Sequence, residues 1–506
     1  MFSGFDGGIR LFAFEGQQQQ FRELPAQSPV HIFGPVFKKQ AAFMGGLAGV
    51  FLSPFLFEPL AEIVRNYAPS GARPSDWWTY HLVFWMLSFV WAIYFGVWAH
   101  RSEWGWFSTG DLKKKLLWIL TLGTLLRLLV VVFIDIPPAS DAKAYDLLAQ
   151  ELAQTGSFQD GGVSTAFRPV GYPAFLAGIY KVFGYHLFLP KLANVFFDFL
   201  SWLLLWRLFS RWKDERTALK ALAIVVFFIP ELYSTQYLLA EQLFVFLWVL
   251  SLYFWETGGT QKYRPFLSGA AFGLAALVRP VVLFWIGLPV LFDLFKKRRL
   301  AALALVLGVF AALGPWIYRN HQKFGIWGLS GHAGINFWLG AHPGATGSGY
   351  FPELEKYPFD ASTQKEMDRN AWRLGWEFVK NHPWEYVRLG LIKEAMVFGF
   401  EHNFVFDLWE LPTHGQLVWG IFGQAYWWIL LFFATVKGAR VLFNRQERAE
   451  MGSWLPFWTL LYWVAVHFFF VGASRYHHPV VPFFAYFAAL TVLSRPKEEN
   501  SGRTSS

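Results

Sequence analysis

The sequence predicts an all-α protein that crosses a membrane many times. Hydrophobic residues make up 55% of the 506 positions, aromatic residues 20% and charged residues 16%. The apolar positions gather in separate runs of membrane length, which a soluble chain would not need and of which a single anchor would need only one. The 27 tryptophans and 19 tyrosines suit side chains that lie at the membrane surfaces and between packed helices.

About twelve apolar runs are long enough to be read as spans. They cover residues 41–61, 81–99, 115–134, 190–209, 217–235, 237–255, 265–279, 281–295, 299–318, 416–436, 454–472 and 476–494. The stretch Val170–Phe183 is a shorter apolar segment, and its glycines and proline favour a re-entrant or surface helix over a span.

The positions of lysine and arginine predict the orientation of these spans. If the chain alternates, the basic clusters between spans all fall on one face, which the positive-inside rule makes cytoplasmic. Both termini are then inside, and the long polar loops 135–189 and 319–415 are outside. This topology accounts for the net charge of +9 without a nucleic-acid partner. Residues 1–40 show no cleavage-site pattern, so we expect the first span to direct insertion.

Six segments follow from this reading. They are a cytoplasmic N-terminal segment (1–40), an additional two-span hairpin (41–110), a transmembrane core with the first outer loop 135–189 (111–318), a large outer loop (319–415), the C-terminal transmembrane helices (416–495) and a disordered cytoplasmic tail (496–506). In the large loop, the glycine-rich stretch Gly325–Phe351 predicts an ordered coil. Thr363–Asn381 predicts an amphipathic helix, and Trp384–Phe400 a second helix that carries Lys393.

The first outer loop offers a carboxylate, Asp141, on a short helical segment. Asp141 and Tyr145 share a face at i, i+4, whereas Asp146 is aimed away from it. A carboxylate here can take a proton from an incoming hydroxyl group as a general base. The alternative is that Asp141 only caps the helix N-terminus; Asp135 and Asp146 are the competing carboxylates.

The apolar stripe of the same helix is predicted from its spacing. It consists of Ala144, Leu147, Leu148 and Leu152. This stripe would hold the helix against the rest of the protein.

The first outer loop also carries a cation in the run Phe167-Arg168-Pro169-Val170-Gly171-Tyr172-Pro173. The prolines stiffen the segment, and the Arg168 guanidinium suits bidentate binding of phosphate oxygens. The alternative is an arginine that snorkels to the lipid head groups.

Ionisable residues near the outer ends of spans are further candidates, because such groups are costly at the membrane and mark functional sites. They are Glu231, Glu241, Arg279, Arg319 and Arg475, and the run Arg475-Tyr476-His477-His478-Pro479 offers several donors where a span begins. Together with Asp141 they predict a polar cavity that opens to the outside. We expect no metal from His477 and His478, since neighbouring helical positions diverge by about 100°. The absence of cysteine excludes thiolate sites.

A series of short motifs resembles the GT-C membrane glycosyltransferases, in particular bacterial members akin to protein O-mannosyltransferases and the lipid A aminoarabinose transferase. The motifs run in order over about residues 115–495. They are Asp141-x3-Tyr145-x3-Ala149 with Gly156, Arg168-Pro169-x-Gly171-Tyr172-Pro173, Leu239-Ala240-Glu241, Gly273 to Pro280, Pro315-Trp316-x-x-Arg319-Asn320, Gly334-x-Asn336, His342-Pro343-x-Ala345-Thr346-Gly347 and Arg475-Tyr476-His477-x-Pro479.

The resemblance implies a sugar transfer from a polyprenyl-phosphate donor to a glycan, lipid or protein acceptor on the outer face of a bacterial inner membrane, with inversion. Asp141 then matches the catalytic aspartate and Arg168 the residue beside the lipid phosphate. Arg279, Arg475 and His477 are the expected helpers at the phosphate. The expected lining of the substrate cavity consists of Tyr145, Tyr172, Glu241, Arg319, Asn336 and His342. Relatives often follow the aspartate with Glu, where this chain has Ala142, and no cofactor is expected.

Two other functions fit the same sequence. A flippase or transporter of lipid-linked glycans would show inverted repeats and broken helices with charges at the midplane. An oligosaccharide ligase or polymerase of related architecture would differ in donor and acceptor and not in topology.

Overall fold

The structure of the chain is a computed structural model. It describes residues 87–97, 107, 110–134, 136–258, 261–347, 363–399, 401 and 413–491, with side chains from 420 onward in the last range. All of these residues belong to one compact unit, Phe57–Ser506. The predicted span 41–61, the segment 1–40, the tail 496–506 and Asp135 lie outside the described residues.

The described chain is almost entirely helical. Its helices are α1 (Leu87–Val97), α2 (Leu112–Phe133), α3 (Ser140–Thr155), α4 (Gly171–Phe183), α5 (Phe188–Trp212), α6 (Glu215–Val226), α7 (Ile229–Ser234), α8 (Glu241–Glu256), α9 (Arg264–Val278), α10 (Gly287–Phe295), α11 (Arg299–Phe324), α12 (Ala333–Leu339), α13 (Gln364–Asn381), α14 (Pro383–Gly399), α15 (Thr413–Phe443), α16 (Arg445–Glu450), α17 (Leu455–Phe469) and α18 (Val481–Thr491). Two 3-10 turns, Pro280–Ile286 and Ser474–Val480, precede α10 and α18, and the short strands β1 (Gln159–Asp160) and β2 (Val163–Ser164) form an antiparallel hairpin.

Four helices within the described ranges are long and apolar enough to cross a membrane by length and composition. They are α2, α5, α11 and the part Gly420–Phe443 of α15, and shorter apolar helices accompany them. Within the described residues the predicted apolar runs are largely helical, but the count of about twelve spans is not confirmed.

Several predicted spans are interrupted, and proline lies at the interruptions. The run 217–235 is two helices, because α6 ends at Val226 and Pro230 begins the next. The runs 281–295 and 476–494 start as 3-10 turns that contain Pro280 and Pro479. Proline lacks the N–H that a continuing α-helix needs, so these runs do not form single straight spans.

Small residues bring α9 and α11 into close contact. A Cβ on Gly269 would lie 1.9 Å from the Leu305 carbonyl oxygen, and one on Gly308 would lie 2.1 Å from the Phe266 carbonyl oxygen. Gly269 and Gly273 form a Gly-x-x-x-Gly pattern of the kind that lets membrane helices approach backbone to backbone. This tight pair fixes the end of α9, from which Arg279 follows.

The outer loops fold into helices that cover one end of the bundle. α13 matches the predicted amphipathic helix, with Ala371 and Phe378 buried and Met367 and Leu374 packed on neighbouring clusters. α14 matches the second predicted helix. The expected coil Gly325–Phe351 is wrong in part, because α12 forms within it.

α12 forms where aromatic side chains find partners. The Phe337 ring stacks on Trp372 with ring centroids 4.7 Å apart and on Phe469 with centroids 4.8 Å apart. Burial of these rings stabilises a helical turn that glycine content alone would argue against.

Candidate active site

Asp141 lies in the first turn of α3 and does not cap it. The N-cap is Ala139, and no side chain accepts a hydrogen bond from the free amides there. The capping alternative is therefore wrong. The carboxylate points away from its own helix and toward two guanidinium groups.

The packing face of α3 differs from the predicted stripe. Ala142, Asp146, Leu148 and Ala149 are buried, whereas Leu147 is 48% exposed. The helix packs on α4 through a face centred on Ala149. Sequence spacing alone could not distinguish this face from the adjacent apolar face that carries Leu147.

Asp146 is occupied by hydrogen bonds within this packing face. It accepts hydrogen bonds from the hydroxyl groups of Tyr180 (2.6 Å) and Tyr185 (3.0 Å) and from the Gln150 amide (2.9 Å). As the helical turn predicted, it is aimed away from the face of Asp141.

Two arginines share the Asp141 carboxylate, one oxygen each. The Arg168 Nη1 donates to Oδ1 at 2.8 Å, and the Arg475 Nη2 donates to Oδ2. The three side chains are 29%, 26% and 25% exposed, so the cluster is open to solvent. An arginine that snorkels to head groups would extend away from the protein, whereas the Arg168 guanidinium is held at Asp141.

This pairing sets the charge of the carboxylate. Burial alone would raise the pKa of Asp141, but the positive charges of Arg475 and Arg168 and their hydrogen bonds lower it to about 2. The pKa of Arg475 is raised, because Glu241, Tyr476 and Asp141 outweigh its burial. All three groups are charged at neutral pH.

A second ion pair lies beside the first. The Arg279 Nη1 donates to the Glu241 Oε1 at 2.8 Å. The Tyr476 ring lies near both arginines, 5.3 Å from the Arg279 guanidinium carbon and 5.8 Å from that of Arg475. The two pairs thus form one cluster of three guanidinium groups and two carboxylates, with an excess of positive charge.

Tyrosine rings form one wall of the cluster. The Arg168 guanidinium lies over the Tyr145 ring at 5.5 Å, which packs edge-on against Tyr172 at 5.5 Å. The Tyr172 hydroxyl group is buried without a hydrogen-bond partner. A buried hydroxyl group without a hydrogen-bond partner is costly. The Tyr172 hydroxyl group is therefore available to a ligand at the buried end of this wall.

A glycine allows the backbone segments that carry Arg168 and Arg279 to lie close together. A Cβ on Gly171 would lie 2.6 Å from the backbone carbon of Leu277 and from the backbone nitrogen of Val278. Only glycine allows the start of α4 to touch the backbone at the end of α9. The Arg168-Pro-Val-Gly motif and Arg279 are thereby brought to one place.

Hydrogen bonds from the large outer loop (319–415) hold the segment that precedes Arg168. The Gln364 side chain accepts a hydrogen bond from the Ala166 amide (2.9 Å), and the Gly331 amide donates to the Ala166 carbonyl oxygen (2.8 Å). The His332 ring lies 4.2 Å from the Phe167 ring. Burial and the charge of Arg168 lower the pKa of His332 to about 4, so this imidazole is neutral at pH 7.

Arg319 also supports this segment and does not reach Asp141. It donates to the carbonyl oxygens of Thr165 (2.7 Å) and Phe158 (3.1 Å) and lies over the Trp316 ring at 4.6 Å. Arg319 therefore supports the segment before Arg168, and its expected place in the lining of the substrate cavity stays a prediction.

The structure thus brings together seven of the residues that the sequence proposed for the site. They are Asp141, Arg168, Arg279, Arg475, Glu241, Tyr145 and Tyr172. Buried His342 stacks on Trp338 at 4.5 Å with its Nδ1 2.7 Å from the Pro343 carbonyl oxygen, and half-buried Asn336 lies in α12.

His477 faces a different cluster, which the sequence did not predict. Its Nε2 lies 2.6 Å from the Glu401 Oε1, and the His478 Nε2 lies 3.3 Å from the Glu401 Oε2. The expectation that the two imidazoles diverge is wrong. The angle between neighbouring positions constrains the Cβ directions, whereas both rings turn toward one carboxylate. Glu401 is distant in sequence, so no local pattern points to it.

Comparison with known proteins returns distant structural likenesses. No family model and no curated protein sequence matches the chain. The crystal structure of ArnT from Cupriavidus metallidurans bound to undecaprenyl phosphate is 17% identical, with a TM-score of 0.39, over 74% of this chain and 76% of that chain. The Archaeoglobus fulgidus oligosaccharyltransferase tethered with an acceptor peptide is 13% identical, with a TM-score of 0.43, over 74% of this chain and 49% of that chain.

Both proteins belong to the GT-C superfamily, the one that the sequence motifs resemble. Because the TM-scores lie below 0.5, the function has to be argued from the residues of this chain.

Proposed function

We propose that this protein is an integral-membrane glycosyltransferase that moves a sugar from a polyprenyl-phosphate donor to an acceptor on the outer face of the bacterial inner membrane. The observation that carries the proposal is the single carboxylate, Asp141, shared by two guanidinium groups, one 27 and the other 334 positions away from it in sequence. A site that combines a base with an excess of cations suits the release of a phosphate leaving group.

The arginines provide the binding site for the donor phosphate. Planar guanidinium groups bind phosphate oxygens with two parallel hydrogen bonds. Arg168 and Arg475 are directed at Asp141 through one nitrogen each, so both retain further donors for an anion. Arg279 adds a third positive charge beside them.

The reaction would proceed by direct displacement at the anomeric carbon. An acceptor hydroxyl oxygen bonds to this carbon while the bond to the phosphate oxygen breaks on the opposite side, which inverts the configuration. The acceptor proton passes to Asp141, and the electron pair of the broken bond stays on the phosphate beside Arg168 and Arg475.

Competition between the carboxylate and the donor phosphate for the arginines sets the basicity of Asp141. While both arginines hold Asp141, its pKa near 2 makes it a weak proton acceptor. A bound phosphate draws the guanidinium groups toward its own oxygens, and their weaker interaction with Asp141, together with the negative charge of the phosphate, raises the basicity of the carboxylate. The carboxylate then becomes a competent base when the donor is present.

The predicted orientation supports the choice of a lipid-linked donor. A site on the outer face has no supply of nucleotide sugars, so an activated sugar has to arrive on a lipid. The helices of the second outer loop pack around the segment before Arg168, and we assign to this loop the selection of a glycan, lipid or protein acceptor.

A comparison of cells with and without the gene tests this function. Mass spectrometry of surface glycolipids and glycoproteins should show one sugar modification that disappears on deletion. The wild-type gene should restore it, and Asp141→Asn should not. The control Asp160→Asn changes an exposed carboxylate in the same loop and should restore it fully. Unchanged glycans on deletion, or full restoration by Asp141→Asn, would overturn the proposal.

A further inference from the structure

A buried cluster of metal-ligating side chains includes two histidines that closely follow Arg475 in sequence. It consists of Glu401, His477 and His478, whose ligand atoms all lie within 4.8 Å of one another. All three side chains are almost completely buried. The cluster is the only group of three or more His, Asp or Glu residues with this spacing in the part of the chain that the structure describes.

The hydrogen bonding of His477 fixes which of its nitrogens faces the cluster. Its Nδ1 lies 2.5 Å from the Val397 carbonyl oxygen, an acceptor, so Nδ1 carries the proton. Nε2 is then the nitrogen that faces Glu401, and a binding ion that displaces the proton shared with the carboxylate would meet its lone pair. A backbone carbonyl that holds one imidazole nitrogen while the other faces an ion is the usual outer shell of a histidine metal ligand.

The cluster combines imidazoles with carboxylates. Glu401 is a buried carboxylate, and a second carboxylate, Glu231, acts electrostatically on His478. In the part of the chain that the structure describes, the groups bonded to Glu401 are two imidazoles and the Gln424 side chain, which accepts a hydrogen bond from the Glu401 backbone amide. Buried carboxylates are stabilised by pairing or by metal coordination, and two imidazoles with a carboxylate are the donor set that zinc and similar divalent ions prefer.

We propose that Glu401, His477 and His478 bind a divalent transition-metal ion, with zinc as the best match. Bonds of about 2.0–2.1 Å in a tetrahedral site place neighbouring ligand atoms about 3.3 Å apart. The His478–Glu401 contact already has this length, at 3.3 Å. The His477–Glu401 contact of 2.6 Å has to lengthen by about 0.7 Å on this geometry, within reach of small rotations of either side chain.

The packing around the cluster holds its side chains in place. The Trp427 ring stacks on His477 at 3.9 Å, and its Nε1 donates to the Phe398 carbonyl oxygen at 2.7 Å. The ion would join the end of α14 to the 3-10 turn Ser474–Val480, in which Arg475 lies two positions before His477. Three protein ligands leave one position for water.

Metal analysis of the full-length protein tests the proposal without any activity assay. The protein is purified in detergent with an affinity tag that contains no histidine, and its metals are measured by inductively coupled plasma mass spectrometry. We expect about one zinc ion per chain, and a loss of at least about tenfold in Glu401→Gln and His478→Gln. The control is His467→Gln, which removes another buried imidazole that is bonded to the Trp463 carbonyl; it should keep its zinc.

Thermal unfolding gives a second readout that does not depend on the metal retained through purification. Chelator-treated wild-type protein should gain several degrees in Tm on addition of Zn²⁺, because an ion that binds the folded state stabilises it, and Glu401→Gln should gain none. A wild-type protein that holds no more metal than Glu401→Gln and shows no rise in Tm with Zn²⁺, Co²⁺ or Mn²⁺ would overturn the proposal. The outcome is independent of the proposed glycosyl transfer.

Discussion

Asp198 and Asp141 both pair with arginine, and the two sites differ in their surroundings. Arg127 and Asp198 pair within the membrane-length helices α2 and α5, with Nε to Oδ2 at 2.6 Å and side chains 0% and 9% exposed. Arg127 also donates to the Val226 carbonyl oxygen at 2.9 Å and lies over the Trp202 ring at 4.4 Å. Asp141 instead has two arginines, and all three side chains are about one quarter exposed.

The difference separates a structural pair from a candidate active site. The Arg127 pair is closed on all sides by protein, so a substrate has no access to it. The Asp141 cluster holds an excess of positive charge, faces solvent and retains unused donors. A buried pair is costly to break, whereas an open cluster can exchange one partner for a ligand at small cost.

The largest expected effects come from the same change at the two aspartates. Asp141→Asn keeps the shape of the side chain but cannot take a proton, so turnover should fall about 100- to 10,000-fold with only a small change in Tm. Asp198→Asn leaves Arg127 as an uncompensated buried charge, so folding should be weakened by about 3–5 kcal/mol. Turnover and thermal unfolding in detergent measure the two effects.

The opposite results would contradict this assignment of a catalytic and a structural aspartate. An Asp141→Asn protein that keeps more than about a tenth of the wild-type rate would remove the general base. A fully stable Asp198→Asn protein would show that the intramembrane pair is not structural.

A smaller effect is expected at Arg168. Gln keeps most of the length and loses the charge, so Arg168→Gln should weaken inhibition by polyprenyl phosphate about tenfold or more. Lys should be intermediate, because a point charge still attracts phosphate but loses the bidentate geometry. Equal inhibition constants for the three proteins would leave the phosphate to Arg279 or Arg475.

Accessibility to water-soluble thiol reagents sharpens the comparison further. The natural chain has no cysteine, so single cysteines can be introduced without background. Val163→Cys, at a side chain 70% exposed in the first outer loop, should react in intact cells with a reagent that does not cross the membrane. Lys296→Cys, in a predicted cytoplasmic cluster, should react only after lysis. The opposite pattern would reverse the orientation and with it the argument for a lipid-linked donor.

The smallest effect concerns pH. The lowered pKa of Asp141, about 2 against an ordinary value of 3.8, means that ionised Asp141 favours the folded state. This contribution is fully present above about pH 4 and is lost as the pH falls through about 2. The difference in Tm between wild type and Asp141→Asn should therefore be constant from pH 5 to 8 and shrink below pH 4. A difference that changes between pH 5 and 8 would contradict the pairing with both arginines.

Part of this account could be predicted from the sequence. Apolar runs placed most of the helices, and amphipathic spacing placed α13. The charged residues Asp141 and Arg168 stood out because they lie in a polar loop between apolar runs, where each charge is conspicuous. Arg279 and Arg475 stood out as ionisable residues near the outer ends of spans, and the resemblance implied that they lie beside the phosphate.

The remaining features depend on contacts between distant parts of the chain. Spacing could not show that Arg475 shares Asp141 with Arg168, nor that Gly171 rests on the backbone of Leu277. The Glu401 cluster was missed because Glu401 lies 76 positions before His477. Local sequence also misjudged α3, because both sides of that helix carry apolar residues and only the packing partner selects one of them.

Direct binding of undecaprenyl phosphate tests the central claim, that carboxylate and phosphate compete for the same guanidinium groups. The affinity can be measured by native mass spectrometry for wild type, Arg168→Gln and Asp141→Asn, with Arg319→Gln as an arginine outside the cluster. We predict that Arg168→Gln binds the lipid about tenfold more weakly or worse, whereas Asp141→Asn binds it as tightly as wild type or more tightly. Equal affinities for wild type and Arg168→Gln, or weaker binding by Asp141→Asn, would contradict the claim.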